Sequence, residues 1–516
     1  MTTASPTIPH VAESSLSIRR DSLAASVIFL VALSCVQPVI TFGRGLIFCR
    51  WLQPDQLGCW DMALSFLTLF APLVVLGIPG SFGRYVERYA QRGQLPTFLG
   101  RTGVACLILG LVGVGALTWQ SSLFSWIIFG QSDMTTMVQL IAICLASMVS
   151  FGFVVELLTA LRLFRIVSLL HLMKGIVFTV AGASLLLYWT SAASIIIGYS
   201  CACLTASIIS LWWLVPTWKS AGTPGLPGAG SSLGHRELWT RLMPFAGWVW
   251  LANLTSGLFE ITDRYMILHF SGLSNSEALL QVGYYHSSRL VPVLLIAFSG
   301  MLASLILPYL TRDWEAGRVG VVGDRVVLGQ KLCAIVMTSG ATVFALVAPW
   351  FFNVVLEGRY ETGLSVLPWT LTYCVWFGMA AVAEMYLWCA ERVRLNTAAL
   401  AVGLVLNIVL NLLLLPVYGL LGAVLATAAS KMVVLILVYL LSHMLGMRFD
   451  LRMWLIALLP LLICLGPVAA FAGLAVVGPA VLATELILTN DEKTALTAAV
   501  GPSFTAARRY VTGRGS

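Results

Sequence analysis

Apolar runs of about 20 residues follow one another through most of this 516-residue chain, and short polar joints separate them. Inside a bilayer, a backbone must satisfy its hydrogen bonds within one helix or within a closed barrel. The runs lack the alternating pattern of barrel strands, so they predict membrane-spanning helices. Charged residues make up 10% of the chain, against about 25% in a soluble domain. The sequence therefore predicts an all-α polytopic membrane protein.

The apolar runs form two groups. We predict six spans in each group, with the seventh span at 244–267, the eighth at 282–310, and a Gly/Pro/Ser-rich joint at Thr223–Gly234 between the groups. The stretch Met453–Leu488 is long enough for two more spans, which gives fourteen, or thirteen if it crosses only once. The predicted parts are a cytoplasmic N-terminal segment (1–21), an N-terminal six-helix lobe (22–215), a cytoplasmic linker (216–243), a C-terminal six-helix lobe (244–443), two extra transmembrane helices (453–488) and a polar tail (489–516).

The distribution of positive charge predicts an orientation. Of the 30 Lys and Arg residues, 23 fall in the tail or in joints on one side of the predicted membrane, and 5 fall on the other side. The positive-inside rule then places the N-terminus in the cytoplasm. Because the net charge of +8 follows from this topology, we predict no nucleic-acid partner. The eleven cysteines include no CxxC pair, and we expect neither a bound metal nor a cofactor.

The two groups of spans resemble each other. In each, an arginine at an outer helix end, Arg44 or Arg264, precedes a span that starts with a glycine and an aromatic residue, at Gly58 or Gly283. Each block then runs through a proline-bearing helix into a charged inner loop. Six helices per repeat give both repeats the same orientation, related by an axis along the membrane normal. This arrangement predicts a cavity between two bundles that rock against each other.

Three stretches carry a resemblance to a known family. They are an R-x-L-x-P-x-x-x-G pattern at Arg50–Gly58, a D-R pattern at Asp263–Gly272 followed by Gly283-Tyr284, and an LPxYGxxGAxxAT pattern at Leu415–Thr427. Over about residues 21–452 the chain resembles the polysaccharide-transport family of the multidrug/oligosaccharidyl-lipid/polysaccharide exporter superfamily. It departs from the family pattern at Ser274–Leu280, which we interpret as a longer outer loop, and in the tail.

The resemblance implies a fold and a function. The fold is two pseudo-symmetric six-helix bundles, as in multidrug exporters of the MATE type, with about two added C-terminal helices. The function is a flippase in the bacterial inner membrane that moves undecaprenyl-diphosphate-linked oligosaccharide by alternating access. The implied partners are this lipid-linked oligosaccharide, membrane lipids, and a proton or sodium ion that drives the transport.

Ionisable residues within the spans are the candidate site residues, because a charge at a span centre costs about 2.5–3.5 kcal/mol unless it is paired or faces water. For the anionic substrate we predict Lys174, Arg289, two turns inside the eighth span, and Arg264. For ion coupling we predict Glu260 and Glu384.

Each candidate also has a structural interpretation. Lys174 can extend to the headgroups, Arg289 can pair with Glu260, and Glu384 can pair with Lys431. The sequence favours a structural role for three other groups: an Asp263–Arg264 ion pair with an interfacial anchor, interhelical hydrogen bonds from Asn407 and Asn411, and an interfacial anchor at Arg44.

Two other functions stay open. A drug or cation antiporter of the same superfamily needs acidic cavity residues, whereas the deep charges here are mixed. A membrane-embedded glycan polymerase or acyltransferase usually has a large outer loop, and none is predicted. Because the chain contains no P-loop, HExxH or GxSxG motif, we do not expect an enzyme.

Overall fold

Helices make up almost all of the chain that the computed structural model describes, namely residues 23–221, 234–483, 488–490 and 492–494. The predicted N-terminal segment 1–21 lies outside the described residues, as do residues 223–233 of the Gly/Pro/Ser-rich joint and most of the predicted tail.

Residues 23–221 form the first lobe. Six long helices correspond to the six predicted spans, and two short helices lie in the connections between them. The helices are α1 (Leu23–Trp51), α2 (Pro54–Val74), α3 (Phe82–Gln91), α4 (Leu95–Trp119), α5 (Ser121–Phe129), α6 (Thr135–Ala160), α7 (Phe164–Tyr188) and α8 (Ala192–Ala221), with a 3-10 turn at Pro79–Ser81.

The second lobe repeats the plan. Its first helix has 36 residues, which is about 54 Å at 1.5 Å per residue, so it extends well beyond a hydrocarbon core of about 30 Å. The helices are α9 (His235–Phe270), α10 (Asn275–Ser288), α11 (Pro292–Glu315), α12 (Val319–Trp350), α13 (Glu361–Cys389), α14 (Val393–Tyr418) and α15 (Leu420–Met444), with a π-helical turn at Phe351–Val355.

Two shorter apolar helices follow the second lobe. They are α16 (Leu451–Leu458), which continues as a 3-10 helix at Leu459–Leu465, and α17 (Pro467–Ala483). Within the described residues, 10 helices are long and apolar enough to cross a membrane. The prediction of an all-α polytopic membrane protein with two six-helix bundles is confirmed.

The predicted eighth span is divided into two helices. We predicted Arg289 two turns inside a continuous helix, but the residue caps the C-terminus of α10, and α11 begins at Pro292. Proline lacks the backbone N–H of an interior helical residue and suits the first helical turn. Arg289 therefore lies at a break in the helix.

The interpretation of Ser274–Leu280 as a longer loop was wrong. Ser274 is the N-cap of α10, and its hydroxyl donates a 2.6 Å hydrogen bond to the carboxylate of Glu277. The same carboxylate accepts a 3.1 Å hydrogen bond from the backbone N–H of Ser274, which completes a capping box. The added residues lengthen a helix.

We call the end of the bundle that holds the α1–α2 and α9–α10 connections the distal end, and the opposite end the basic end. At the distal end, α2 and α10 run side by side in direct backbone contact. A Cβ atom built on Gly58 would lie 1.9 Å from the carbonyl oxygen of Leu279, and one built on Gly283 would lie 1.9 Å from that of Pro54. Glycine at both positions lets the two lobes close against each other here.

Further hydrogen bonds join the lobes at the distal end. The Tyr360 hydroxyl donates to the Cys49 carbonyl at 3.0 Å, and the Asn275 amide donates to the Gly130 carbonyl at 2.9 Å. The long helix α9 also reaches the first lobe near the basic end, where the Trp250 indole donates to the Leu73 carbonyl at 3.2 Å.

A partly buried ion pair attaches the C-terminal segment to α12. The Lys331 ammonium, 2% exposed, donates to both oxygens of Glu492 at 2.8 Å. We expect Lys331→Met to be less stable than the parent by about 1–3 kcal/mol, because the Glu492 carboxylate, 17% exposed, then keeps only the 2.8 Å hydrogen bond from the backbone N–H of Thr489. Thermal unfolding in detergent measures the change, and the double variant Lys331→Met/Glu492→Gln should regain most of the loss. Equal stability of the single variant and the parent would contradict this prediction.

Candidate functional site

A cavity of about 760 Å³ lies between the two lobes. Helices α1, α2, α7 and α8 of the first lobe and α9, α10 and α11 of the second lobe contribute its walls. Its volume falls in the range of about 300–1,000 Å³ that small-molecule sites occupy. The close approach of Gly58 and Gly283 lies on its distal side.

The structure places four of the five predicted site residues in the wall of this cavity: Lys174, Glu260, Arg264 and Arg289. The Lys174 ammonium lies 4.6 Å from the ring centroid of Phe151, which is a cation–π distance. The fifth residue, Glu384, is absent from the cavity wall.

Arg289 forms no ion pair in the described residues. Its guanidinium lies 5.4 Å from the Tyr285 ring centroid, and its buried Nε has no hydrogen-bond partner in the described residues. The Arg289–Glu260 ion pair that we considered is not formed in this part of the chain. The break between α10 and α11 thus places a guanidinium with spare hydrogen-bond donors beside the cavity.

An arginine, an aspartate and two histidines also line the cavity, and sequence reasoning did not assign them to a site: Arg44, Asp61, His171 and His286. The Arg44 guanidinium lies 4.4 Å from the Phe178 ring centroid, so this residue faces the cavity although we interpreted it as an interfacial anchor. With the histidines neutral, the cavity wall carries four cations and two carboxylates. An anion can therefore approach more positive than negative charge.

Asp61 joins the lobes through two side chains of the second lobe. The Arg264 Nε donates to its Oδ2 at 2.6 Å, and the His286 Nδ1 lies 2.9 Å from its Oδ1. Asp61 is 3% exposed and Arg264 is 7% exposed. The predicted pairing of Arg264 with Asp263 was wrong, because Arg264 crosses to the other lobe instead.

Asp263 lies in a second polar cluster, inside the second lobe. Its carboxylate accepts hydrogen bonds from the hydroxyls of Tyr285 at 2.8 Å and Thr427 at 2.6 Å. It also accepts bonds from the side-chain amides of Asn407 at 3.1 Å and Asn411 at 3.3 Å. Asp263 is 3% exposed, and no ion pair reaches it within the described residues.

Asn407 and Asn411 form interhelical hydrogen bonds, as the sequence suggested. The acceptor of these bonds is the buried carboxylate of Asp263. The Oδ1 atom of Asn411 is buried and has no hydrogen-bond partner in the described part of the chain. Together with Asp263, Asn407 and Thr427 it offers several oxygen atoms from α9, α14 and α15. Oxygen ligands of this kind suit hard cations.

Glu384 and Lys431 do not form the ion pair that the sequence suggested. The Lys431 ammonium lies 3.5 Å from the Phe259 ring centroid, and no ion pair joins it to Glu384 in the described residues. Glu384 instead contacts Asn396. The ion-coupling role of Glu384 stays a prediction, as do the roles of the residues in the cavity wall.

Comparison with known proteins identifies relatives of the sequence. A family model described as "Polysaccharide biosynthesis protein" matches residues 23–314. The Bacillus subtilis protein named lipid II flippase MurJ is 21% identical over 391 residues, which is 70% of this chain and 71% of MurJ. The uncharacterized membrane protein YabM of the same organism is 24% identical over 199 residues, and the match spans only 38% of this chain and 37% of YabM.

Solved structures share the fold. A lipid II flippase MurJ in an inward closed conformation superposes with a TM-score of 0.62 at 12% identity, over 88% of this chain and 99% of MurJ. An inward-facing multidrug resistance MATE family transporter of the MOP superfamily has a TM-score of 0.62 at 10% identity, over 83% of this chain and 98% of that protein. The predicted MATE-like architecture is confirmed.

Proposed function

The chain belongs to the polysaccharide biosynthesis protein family, and we propose that it moves a lipid-linked oligosaccharide with a diphosphate bridge across the bacterial inner membrane by alternating access. The observation that carries this proposal is the excess of cations in the cavity between the lobes, four against two carboxylates. A diphosphate that enters a membrane protein loses water and needs fixed positive charge in exchange. The likeness to a protein named lipid II flippase supports the same class of substrate.

The positions of the cations suit a diphosphate. Arg289 has an unpartnered Nε, and the guanidinium of Arg44 and the ammonium of Lys174 lie against aromatic rings, without a carboxylate partner in the described residues. Arginine offers a planar fork of donors to phosphate oxygens, whereas lysine offers a point charge. The apolar part of the cavity wall, which includes Leu294 and Met301, is available to the lipid.

Asp263 is our candidate for ion coupling. This buried carboxylate accepts four hydrogen bonds but has no ion pair in the described residues, so its charge is available to a bound cation. The surrounding side-chain oxygens of Asn411 and Thr427 fit a sodium ion, and the carboxylate alone can take a proton. Because Asp263 and Arg264 are consecutive residues of α9, an ion bound at the first is well placed to influence the second.

We orient the protein with its basic end in the cytoplasm. The charged connections at that end include Arg84, Arg88, Arg312 and Arg318, in agreement with the positive-inside rule. In this orientation, a cavity that is closed at the distal end loads its substrate from the cytoplasmic side. We propose that transport makes and breaks no covalent bond.

Binding by purified protein tests this proposal. We expect a fluorescent polyprenyl-diphosphate-linked disaccharide to bind the parent protein, and to bind Lys174→Gln/Arg289→Gln at least ~100-fold more weakly. Each charged hydrogen bond contributes about 1.5–3 kcal/mol, so the loss of two has this size. The control is Arg312→Gln, because Arg312 is an exposed arginine at the basic end.

Two outcomes would contradict the proposal. One is equal affinity of the double variant and the parent for the diphosphate lipid. The other is tighter binding of a lipophilic cation than of the diphosphate lipid, which would favour a multidrug or cation antiporter.

A further inference from the structure

The two repeats differ at one pair of equivalent positions in the cavity. Each repeat has an arginine, Arg44 or Arg264, followed by a glycine, Gly58 or Gly283, that starts a helix. Three residues after the glycine, the first repeat has a carboxylate, Asp61, whereas the second has an imidazole, His286. The internal symmetry therefore places an acid opposite a base.

These two equivalent residues meet between the lobes. The Asp61 Oδ1 lies 2.9 Å from the His286 Nδ1, one turn below the point where Gly58 and Gly283 bring α2 and α10 together. The second Asp61 oxygen accepts the 2.6 Å hydrogen bond from Arg264. One carboxylate of the first lobe thus holds side chains of both α9 and α10 of the second lobe.

As a result, the arginines of the two repeats have different partners. Arg264 is 7% exposed and paired with Asp61, whereas the Arg44 guanidinium lies on the Phe178 ring and forms no ion pair in the described residues. An anion that enters the cavity meets Arg44 without a competitor. The Nε of Arg264 is already taken by Asp61, so an anion that binds this donor has to take the place of Asp61.

We propose that Asp61 is a positioning residue that latches the distal end shut, and that the anionic group of the substrate opens the latch by replacing Asp61 on Arg264. The inference rests on the proposed function for the identity of the anion. When the anion takes the guanidinium, Asp61 keeps only His286, and the bond between α2 and α9 is lost. Substrate binding in the cavity is thereby linked to separation of the lobes at the distal end.

Cross-linking across the distal end tests the latch. Ser132 and Leu273 are exposed and flank the Asn275–Gly130 hydrogen bond between the lobes. With both changed to cysteine and the exposed Cys201 changed to serine, a short bismaleimide joins the lobes when the distal end is closed.

We expect Asp61→Asn to lower the cross-linked fraction at least ~5-fold without any ligand, a typical size for an allosteric coupling. Asp55→Asn, the same change on the same helix, should cross-link like the parent.

A polyprenyl diphosphate, added as the probe, tests the displacement step. We expect the probe to lower cross-linking of the parent, to leave cross-linking of Asp61→Asn unchanged, and to bind Asp61→Asn at least ~5-fold more tightly than the parent, because Arg264 is then free. If Asp61→Asn is poorly folded, Asp61→Asn/Arg264→Gln removes the unpaired charge. This double variant should show the same loss of cross-linking and no gain in affinity.

The outcomes separate this inference from the proposed function. Cross-linking of both Asp61 variants at the level of the parent would overturn the latch, whatever the substrate is. Weaker or equal binding of the probe by Asp61→Asn would overturn the displacement. Lack of binding to the parent would contradict the proposed function and the displacement, while the cross-linking without ligand still decides whether Asp61 holds the lobes together.

Discussion

Gly58→Ala is expected to abolish transport while the protein stays folded in the membrane. The new Cβ would lie 1.9 Å from the Leu279 carbonyl oxygen, so α2 and α10 must separate by about 1 Å or more. Both groups belong to helix backbones, which cannot rotate away as a side chain can. The variant therefore cannot adopt the conformation in which the distal end is closed. It can still adopt a conformation in which the lobes are apart at this end, because the clash is then absent. Alternating access needs both states.

The cross-linking assay across Ser132 and Leu273 measures this effect. We expect a loss of cross-linking of at least ~10-fold for Gly58→Ala, and also for Gly283→Ala, because its Cβ would lie 1.9 Å from the Pro54 carbonyl oxygen. Gly115→Ala is the matched control, since nothing lies within 4 Å of its added Cβ and alanine favours a helix. Cross-linking and transport at parental levels in Gly58→Ala would show that the lobes do not close along this helix pair.

Asp263→Asn should uncouple transport from the ion gradient. The substitution keeps the size of the side chain, and its amide oxygen can still accept the two hydrogen bonds from Asn407 and Asn411, but it removes the charge that binds a cation or a proton. In proteoliposomes, we expect an imposed sodium or proton gradient to stimulate the parent and to leave Asp263→Asn unaffected. Affinity for the diphosphate lipid should stay within about threefold of the parent, because Asp263 does not line the cavity.

Asp324→Asn serves as the control for this experiment, because Asp324 is an exposed acid at the basic end of α12. Gradient-stimulated transport by Asp263→Asn at the rate of the parent would exclude Asp263 as the coupling group. In that case Glu260, which lines the cavity, becomes the next candidate.

The helices and the two lobes were predictable because bilayer length and backbone hydrogen bonding leave few alternatives. The ends of the helices were less predictable from the sequence. Hydropathy marks only the apolar part of a helix, and α9 starts at His235 rather than at residue 244, because its polar first turns contact the first lobe. The break before Pro292 was visible in the sequence but was not used.

The site was predictable in part. Any ionisable residue within a span is a candidate, and this rule found Lys174, Glu260 and Arg289. The same rule applies to Asp61, which lies two turns inside α2 and was overlooked. The rule cannot tell which face of a helix meets the cavity, so it also selected Glu384, which does not line the cavity and whose coupling role stays a prediction. Arg264 pairs with Asp61 rather than with Asp263 because of the way the lobes pack. The spacing of residues along one helix contains no information about that packing.

Translocation by the purified protein in liposomes tests the central claim most directly. A fluorescent oligosaccharide is attached to a polyprenyl diphosphate or, for comparison, to an uncharged lipid of the same length, and its arrival in the opposite leaflet is followed. The account predicts protein-dependent crossing of the diphosphate lipid, little crossing of the uncharged lipid, and loss of crossing in Lys174→Gln/Arg289→Gln. Equal crossing of both lipids, or an unchanged rate in the double variant, would contradict it.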